Sequence, residues 1–211
     1  MARATGGNPQ AEGRIKFMDA ALNAQKAALR KQVHAALQKI VPAARVAATA
    51  QISARLKAQE FWKKAAAILF FAPLPGEVDV WPLLEETLAT GKTVALPRFD
   101  PAEQSYVACR VQNLRTEIVP GLFGVREPHG GCVEIPLGRL DLVLVPGVAF
   151  DLNGRRLGRG KGFYDRLLPE TNGVKCGLAF EEQIVAEIPT GRLDVPMDFV
   201  LTPARVARND G

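Results

Sequence analysis

Apolar residues recur at helical spacing through the first quarter of the chain and then give way to short unbroken runs. Leu22, Leu29, Val33 and Leu37 lie near a 3.6-residue period with alanine between them, which predicts a helix from Asp19 to about Ile40. Pro42 restarts the chain, and Val46, Ile52 and Leu56 predict a second helix to about Lys64, with a break near Ala48–Gln51. Residues 1–17 lack the apolar stripe and read as a disordered extension.

Beyond Lys64 the period shortens. Ala65–Phe71 is an apolar run that ends at Pro73, the mark of a buried strand. Trp81–Thr90 reads as a helix stopped by Gly91. Thr93–Pro97 is a second strand, Tyr106–Val111 alternates as a third, and Leu140–Val145 is the most apolar. Val174–Ala179 and Phe199–Thr202 follow. Strands alternating with helices predict an α/β fold of three layers, a mostly parallel central sheet flanked by helices on both faces. With no internal repeat, residues 18–205 read as one α/β domain and 206–211 as a flexible tail.

Composition narrows the class. The 211 residues are 47% hydrophobic and 23% charged, as in a folded globular protein. No apolar run approaches the roughly 20 residues that cross a bilayer. Met1 to Lys16 has no apolar core of a secretory signal. Three widely spaced cysteines, Cys109, Cys132 and Cys176, predict free thiols in a reduced, cytoplasmic chain. The net charge of +5 is uneven: residues 1–64 carry twelve Lys and Arg against three acids, the remainder fifteen against nineteen. That basic part could face nucleic acid, a polyanionic small molecule or only solvent.

The densest chemistry lies in Val145–Arg166. A buried strand runs out to Pro146, a turn forms at Asn153-Gly154, and Gly158, Gly160 and Gly162 alternate ahead of a helix. Glycines there allow backbone N–H groups to approach a phosphate and permit positive φ. Arg156, Arg159 and Lys161 add charge matched to phosphate oxygens, and Asp165 supplies a hard oxygen for magnesium. A helix starting near Phe163 would point its positive end at the same anion. A dinucleotide fingerprint fails because its third glycine would fall at Phe163. Gly91-Lys92-Thr93 fails as a P-loop because it precedes a strand. Neither His34 nor His129 completes a nucleophile–base pair, and His129 with Cys132 is too little for a metal site.

Pro146-Gly147-x-x-Phe150-Asp151-x-x-Gly154-x-Arg156-Leu157-Gly158-x-Gly160-x-Gly162-Phe163-Tyr164-Asp165 resembles the signature of the 5-formyltetrahydrofolate cyclo-ligases. Lys26–Arg30, Gly76–Asp79, Gly124–Pro128 and Gly177–Phe180 through Asp194 resemble the family's other elements in order, so the likeness spans about Asp19 to Pro203. It implies the fold shared by sugar-phosphate isomerases and CoA transferases. The implied reaction is ATP-dependent closure of 5-formyltetrahydrofolate to 5,10-methenyltetrahydrofolate, by phosphorylation of the formyl oxygen. Magnesium would accompany ATP, and nucleic acid and membrane would have no part. No exposed apolar stripe stands out in the sequence, so a monomer is expected.

The resemblance also assigns residues. Lys26, Arg30 and Arg156, Leu157, Gly158, Arg159, Gly160, Lys161, Gly162, Phe163 and Tyr164 would hold ATP. Glu77 and residues Arg159 to Phe163 would hold the folate, with Arg159, Lys161 and Tyr164 at the chemistry and Asp165 and Asp194 on magnesium. Phe70, Phe71, Trp81 and Phe123 stand as core residues that could line a pterin slot. The chain departs from the family pattern at Val80, where a threonine is frequent, at Phe163, where a tyrosine is frequent, and at Arg159, where many relatives carry an aromatic. The alternative is an ATP-independent isomerase or transferase acting on a phosphorylated or CoA-linked substrate.

Overall fold

A computed structural model describes residues 9–209. The amino-terminal half runs α1 (Pro9–Leu37), α2 (Pro42–Lys57), α3 (Glu60–Lys64), β1 (Ala67–Leu69), α4 (Trp81–Leu88), β2 (Thr93–Asp100) and β3 (Ser105–Val111). It continues through α5 (Leu114–Glu117), β4 (Ile118–Pro120), β5 (Arg126–Pro128), β6 (Glu134–Ile135) and β7 (Leu142–Val145). Then come β8 (Ala149–Phe150), β9 (Arg156–Leu157), α6 (Phe163–Leu167), β10 (Val174–Leu178), β11 (Phe199–Leu201) and β12 (Val206–Arg208).

Eight strands form one sheet in the order β12-β11-β10-β7-β1-β2-β3-β6. The strands from β11 to β2 pair in parallel, whereas β12 at one edge and β3 and β6 at the other are antiparallel. The predicted α/β architecture with a mostly parallel sheet is present. Period-two alternation sorts the core: Leu142 and Leu144 of β7 face Ile52, Leu56, Trp62 and Leu84, whereas Val143 and Val145 face Phe150, Leu167 and Met197. A third cluster joins Val33 of α1 to Ala149 and Leu157, which docks α1 against the β8–β9 hairpin.

Several expected boundaries move. The chain is helical from its first described residue, Pro9, so 9–17 belong to α1 where an extension was expected, while 1–8 lie outside the described residues. The second helix does not break at Ala48–Gln51, which holds no glycine or proline; Ile52 and Leu56 lie on its fully buried face. It ends at Lys57 with Ala58 as its cap, and extended backbone at Gln59 turns the chain so that Trp62 meets Phe70 edge-on with ring centres 6.2 Å apart. Residues 206–208 are not a loose tail but β12, whose backbone pairs with β11. Lys92, in the rejected P-loop segment, donates instead to the carbonyls of Trp62, Lys63 and Ala65.

The cysteine expectation is corrected too. Cys109 of β3 lies opposite Glu134 of β6, so the returning chain brings Cys132 beside it. The two are joined by a disulfide with Cα atoms 5.7 Å apart. Cys176 is a free thiol, fully buried, and burial followed by nearby Asp198 pushes its pKa up, which keeps it unreactive. Among the described residues no helix is long and apolar enough to cross a membrane.

Candidate active site

The site grows out of the carboxyl end of β7. After Val145 the chain crosses at Pro146-Gly147, folds back as the antiparallel β8–β9 pair, and enters the glycine loop. Wholly buried Asp151 fixes the hairpin turn: Oδ1 accepts from the N–H groups of Asn153 and Arg155, both at 3.0 Å, and Oδ2 from Ile188 N–H at 3.1 Å. Of the three loop glycines, Gly160 (φ +92°) and Gly162 (φ +67°) occupy the positive-φ region that side chains avoid. Gly158 matters for a different reason: a Cβ there would lie 2.9 Å from Arg156 Nη1 and would push the guanidinium aside. The following helix α6 has only five residues, so the anticipated dipole at its start is small.

Under the loop lies a cleft of about 310 Å³. Glu77 lines it together with a segment far along the chain, Arg156, Gly158 to Gly162, Phe163, Tyr164 and Asp165. The Glu77 carboxylate is fully engaged. Its Oε1 accepts a fork from Arg159 (Nε at 3.0 Å, Nη2 at 2.8 Å), and its Oε2 accepts from Leu74 N–H at 2.9 Å. Glu77 is only 11% exposed and Arg159 is 53% exposed, so the carboxylate is the fixed half of the pair. Arg156 is buried under the loop. Its Nη2 donates to Asp165 Oδ1 at 2.5 Å, and its Cζ lies 5.5 Å from the centre of the Tyr164 ring. Burial pushes the Tyr164 phenol far up, Glu77 adds to this, and Arg156 opposes it, so the hydroxyl stays protonated as a donor.

Other predicted residues flank the cleft rather than line it. Arg30 reaches from α1 to the outside of the loop, donating from Nε to the Gly158 carbonyl at 2.9 Å. Lys26, one turn earlier, donates to Asp194 Oδ2 at 2.6 Å, and the same oxygen accepts from Gly191 N–H at 2.6 Å. The Leu157 side chain does not face a ligand; it is buried with Val33 and Ile188 in the core under α1. Asp165 and Asp194 sit on different bases, and the described residues hold no group of three or more His, Cys, Asp or Glu able to bind a metal.

Sequence reasoning missed the opposite wall. Tyr106 of β3 and Phe163 meet edge-on with ring centres 4.9 Å apart, and Phe99 packs edge-on against both at 5.8 and 5.4 Å. Tyr106 and Phe71 line the cleft, Phe70 is core, and Trp81 stacks with Arg126. The Phe123 side chain lies outside the described residues. No local signal marks Tyr106, because its place depends on the antiparallel return of β3 onto β2. Loss of solvent, followed by the nearby Glu127 charge, pushes its phenol up to about 12.

Glu127 stands behind that wall, 5% exposed, with Oε2 accepting from Phe99 N–H at 3.2 Å and no hydrogen-bond partner for Oε1 among the described residues. Burial raises its pKa, which the Phe99 N–H and Arg98 only partly oppose. A raised folded-state value means the group's contribution is fully present below the unfolded carboxylate range and is lost as pH rises through the folded value. Glu127→Gln keeps an acceptor for Phe99 and removes the charge. Its thermal midpoint is expected to exceed wild type by about 2–4 °C at pH 7, with the gap closing toward pH 4. Melting curves at both pH values check this; a lower midpoint at pH 7 would show that the ionised form is stabilised.

Comparisons with known proteins identify the family. Residues 22–203 match the model of the 5-formyltetrahydrofolate cyclo-ligase family. The 5-formyltetrahydrofolate cyclo-ligase of Escherichia coli K12 is 35% identical over 146 residues, covering 67% of this chain and 80% of its own. A probable 5-formyltetrahydrofolate cyclo-ligase of Caenorhabditis elegans is 30% identical over 193 residues, covering 86% and 94%. The solved structure of 5,10-methenyltetrahydrofolate synthetase from Aquifex aeolicus superposes with a TM-score of 0.78 at 34% identity, covering 88% of this chain and 93% of its own. A fold of this kind, a glycine–cation loop facing a buried carboxylate, and a family match across nearly the whole chain place this protein in the 5-formyltetrahydrofolate cyclo-ligase family.

Proposed function

We propose that this chain closes the ring of 5-formyltetrahydrofolate to give 5,10-methenyltetrahydrofolate, with ATP converted to ADP and phosphate. One observation carries the reading: Glu77 and the glycine–cation loop share one cleft, so a pterin and a triphosphate can meet there. The carboxylate is an acceptor that a pterin's adjacent ring and amino N–H donors can satisfy in pairs. Arg159 and Lys161 on the loop supply charge for phosphate oxygens, with Lys26 and Arg30 entering from α1. The formyl oxygen attacks the terminal phosphorus and ADP leaves. The ten-position nitrogen then attacks the activated carbon, loses its proton, and phosphate departs. Such transfer needs positioning and neutralised charge rather than a protein nucleophile. Tyr164, held neutral, serves as a hydrogen-bond donor to developing negative charge.

Magnesium belongs to the same proposal. The donor chemistry fits, because this ion takes one or two carboxylates together with phosphate and water rather than a full protein cage. Asp165 at the cleft and Asp194 beside Lys26 would hold it. Bound there, it would neutralise charge on the transferring phosphate. Arg156 and Lys26, which now hold those carboxylates, are the cations that ATP would engage in their place. Exposed large apolar residues such as Val46, Val133 and Leu193 are scattered rather than gathered in one stripe, which favours a monomer. The use of ATP suits the cytoplasm.

The test is the absorbance of 5,10-methenyltetrahydrofolate formed from 5-formyltetrahydrofolate, with and without magnesium and ATP. Product is expected only with both. A folded protein that is stabilised by ATP but yields no product would overturn the folate assignment.

A further inference from the structure

The turn that carries Glu77 is gripped from outside by a residue with no place in the cleft lining. Arg45, in the first turn of α2, donates from Nη1 to Gly76 O at 3.1 Å, from Nε to Ile40 O at 3.4 Å, and from Nη2 to Leu37 O. Its Cζ also lies 5.5 Å from the centre of the Phe180 ring. One guanidinium thus ties the end of α1, the α1–α2 connection and the Leu74–Glu77 turn to the sheet's aromatic core. A planar fork can do this where an ammonium cannot, and a cation at a helix's carboxyl end is favoured by the dipole.

Within itself the turn has Glu77 N–H on Leu74 O at 3.0 Å and Leu74 N–H on Glu77 Oε2 at 2.9 Å, and Gly76 has φ +92°. These bonds shape the turn but do not fix where it stands. From outside it is held by Arg159 at the carboxylate and by Arg45 at the Gly76 carbonyl. If the pterin takes Glu77 from Arg159, the Arg45 contact remains as the outside restraint. The other two carbonyls that Arg45 holds, those of Leu37 and Ile40, anchor its guanidinium at the end of α1. We propose that Arg45 is a positioning residue that sets the Glu77 carboxylate at its working distance from the phosphate loop. This rests on Glu77 as the pterin-binding carboxylate.

The experiment compares Arg45→Met, Arg45→Lys and, as a control on the same helix, Arg55→Met, whose guanidinium in the native protein donates to Pro203 O at 2.8 Å. The Michaelis constants for 5-formyltetrahydrofolate and ATP are measured, together with hydrogen–deuterium exchange at the Glu77 amide. Arg45→Met is expected to raise the folate KM about tenfold, to leave the ATP KM within about twofold, and to speed Glu77 amide exchange about tenfold, the scale of one charge-assisted hydrogen bond. Arg45→Lys, which retains the charge for folding, is expected to show the same split because it cannot span both carbonyls. Arg55→Met is expected to lower the melting temperature alone. Equal rises in both KM values, or unchanged Glu77 exchange, would overturn the assignment. If the native protein makes no methenyl product, the functional reading fails separately, and amide exchange alone still decides whether Arg45 holds the turn.

Discussion

Lys161→Ala is expected to lower kcat by about 10²–10³-fold while leaving the melting temperature of the free protein within about 2 °C of wild type. The two halves of this expectation come from different parts of the loop. Lys161 is exposed between Gly160 and Gly162, whose positive φ angles set the path of the backbone. The glycines are therefore expected to keep the cradle when the side chain is removed. Lys161 lines the same cleft as Glu77, Tyr164 and Asp165, where charge would build as a phosphoryl group passes to the formyl oxygen. A cation placed for that charge acts in the transition state more than in the bound ground state, so kcat falls further than ATP affinity. Absorbance of the methenyl product in single turnovers gives the rate, and stabilisation by ATP in a melting scan gives the binding. A variant that turns over near normally would remove the loop from the chemistry; one that no longer binds ATP at all would make Lys161 a binding residue only.

The legible parts of this protein are those whose signal is local. Leu142–Val145 is buried on both faces and is apolar at every position, so β7 could be read directly, and the loop after it announces itself by alternate glycine and base. Features that depend on distant pairing were not legible. Thr93–Pro97 gave only the start of β2, since Arg98 to Asp100 become strand by pairing with Ser105 to Val107. The same hairpin brings Tyr106 to the cleft and, through β6, sets Cys132 against Cys109. Leu157 sits within a phosphate-binding pattern, yet side chains alternate on β9, so Arg156 faces the cleft and the Leu157 side chain faces the core under α1. Arg45 looked like one more charge on a basic helix. Nothing in its surroundings along the chain indicates that the Gly76 carbonyl, 31 residues on, completes its contacts.

Glu77→Gln is expected to raise the folate KM about 30–100-fold and to leave ATP binding within about twofold of wild type. Glutamine is the sharper substitution because it preserves the turn. Its carbonyl oxygen can still accept from Leu74 N–H, as Glu77 Oε2 does, whereas alanine would lose that bond and confuse folding with recognition. At the other oxygen glutamine presents an amide N–H₂. It would meet Arg159, and equally the pterin's N–H groups, donor against donor. At 11% exposure little water is available to relieve that mismatch, and the lost negative charge weakens whatever contact survives. ATP follows the opposite logic: Arg159, released from its carboxylate, is free to turn toward phosphate, so nucleotide affinity holds or improves. Titrations of each substrate against the variant separate the two. Folate and ATP affinities falling together would show that Glu77 holds the cleft together rather than reading the pterin. A loss confined to folate would assign the two halves of the cleft to their substrates.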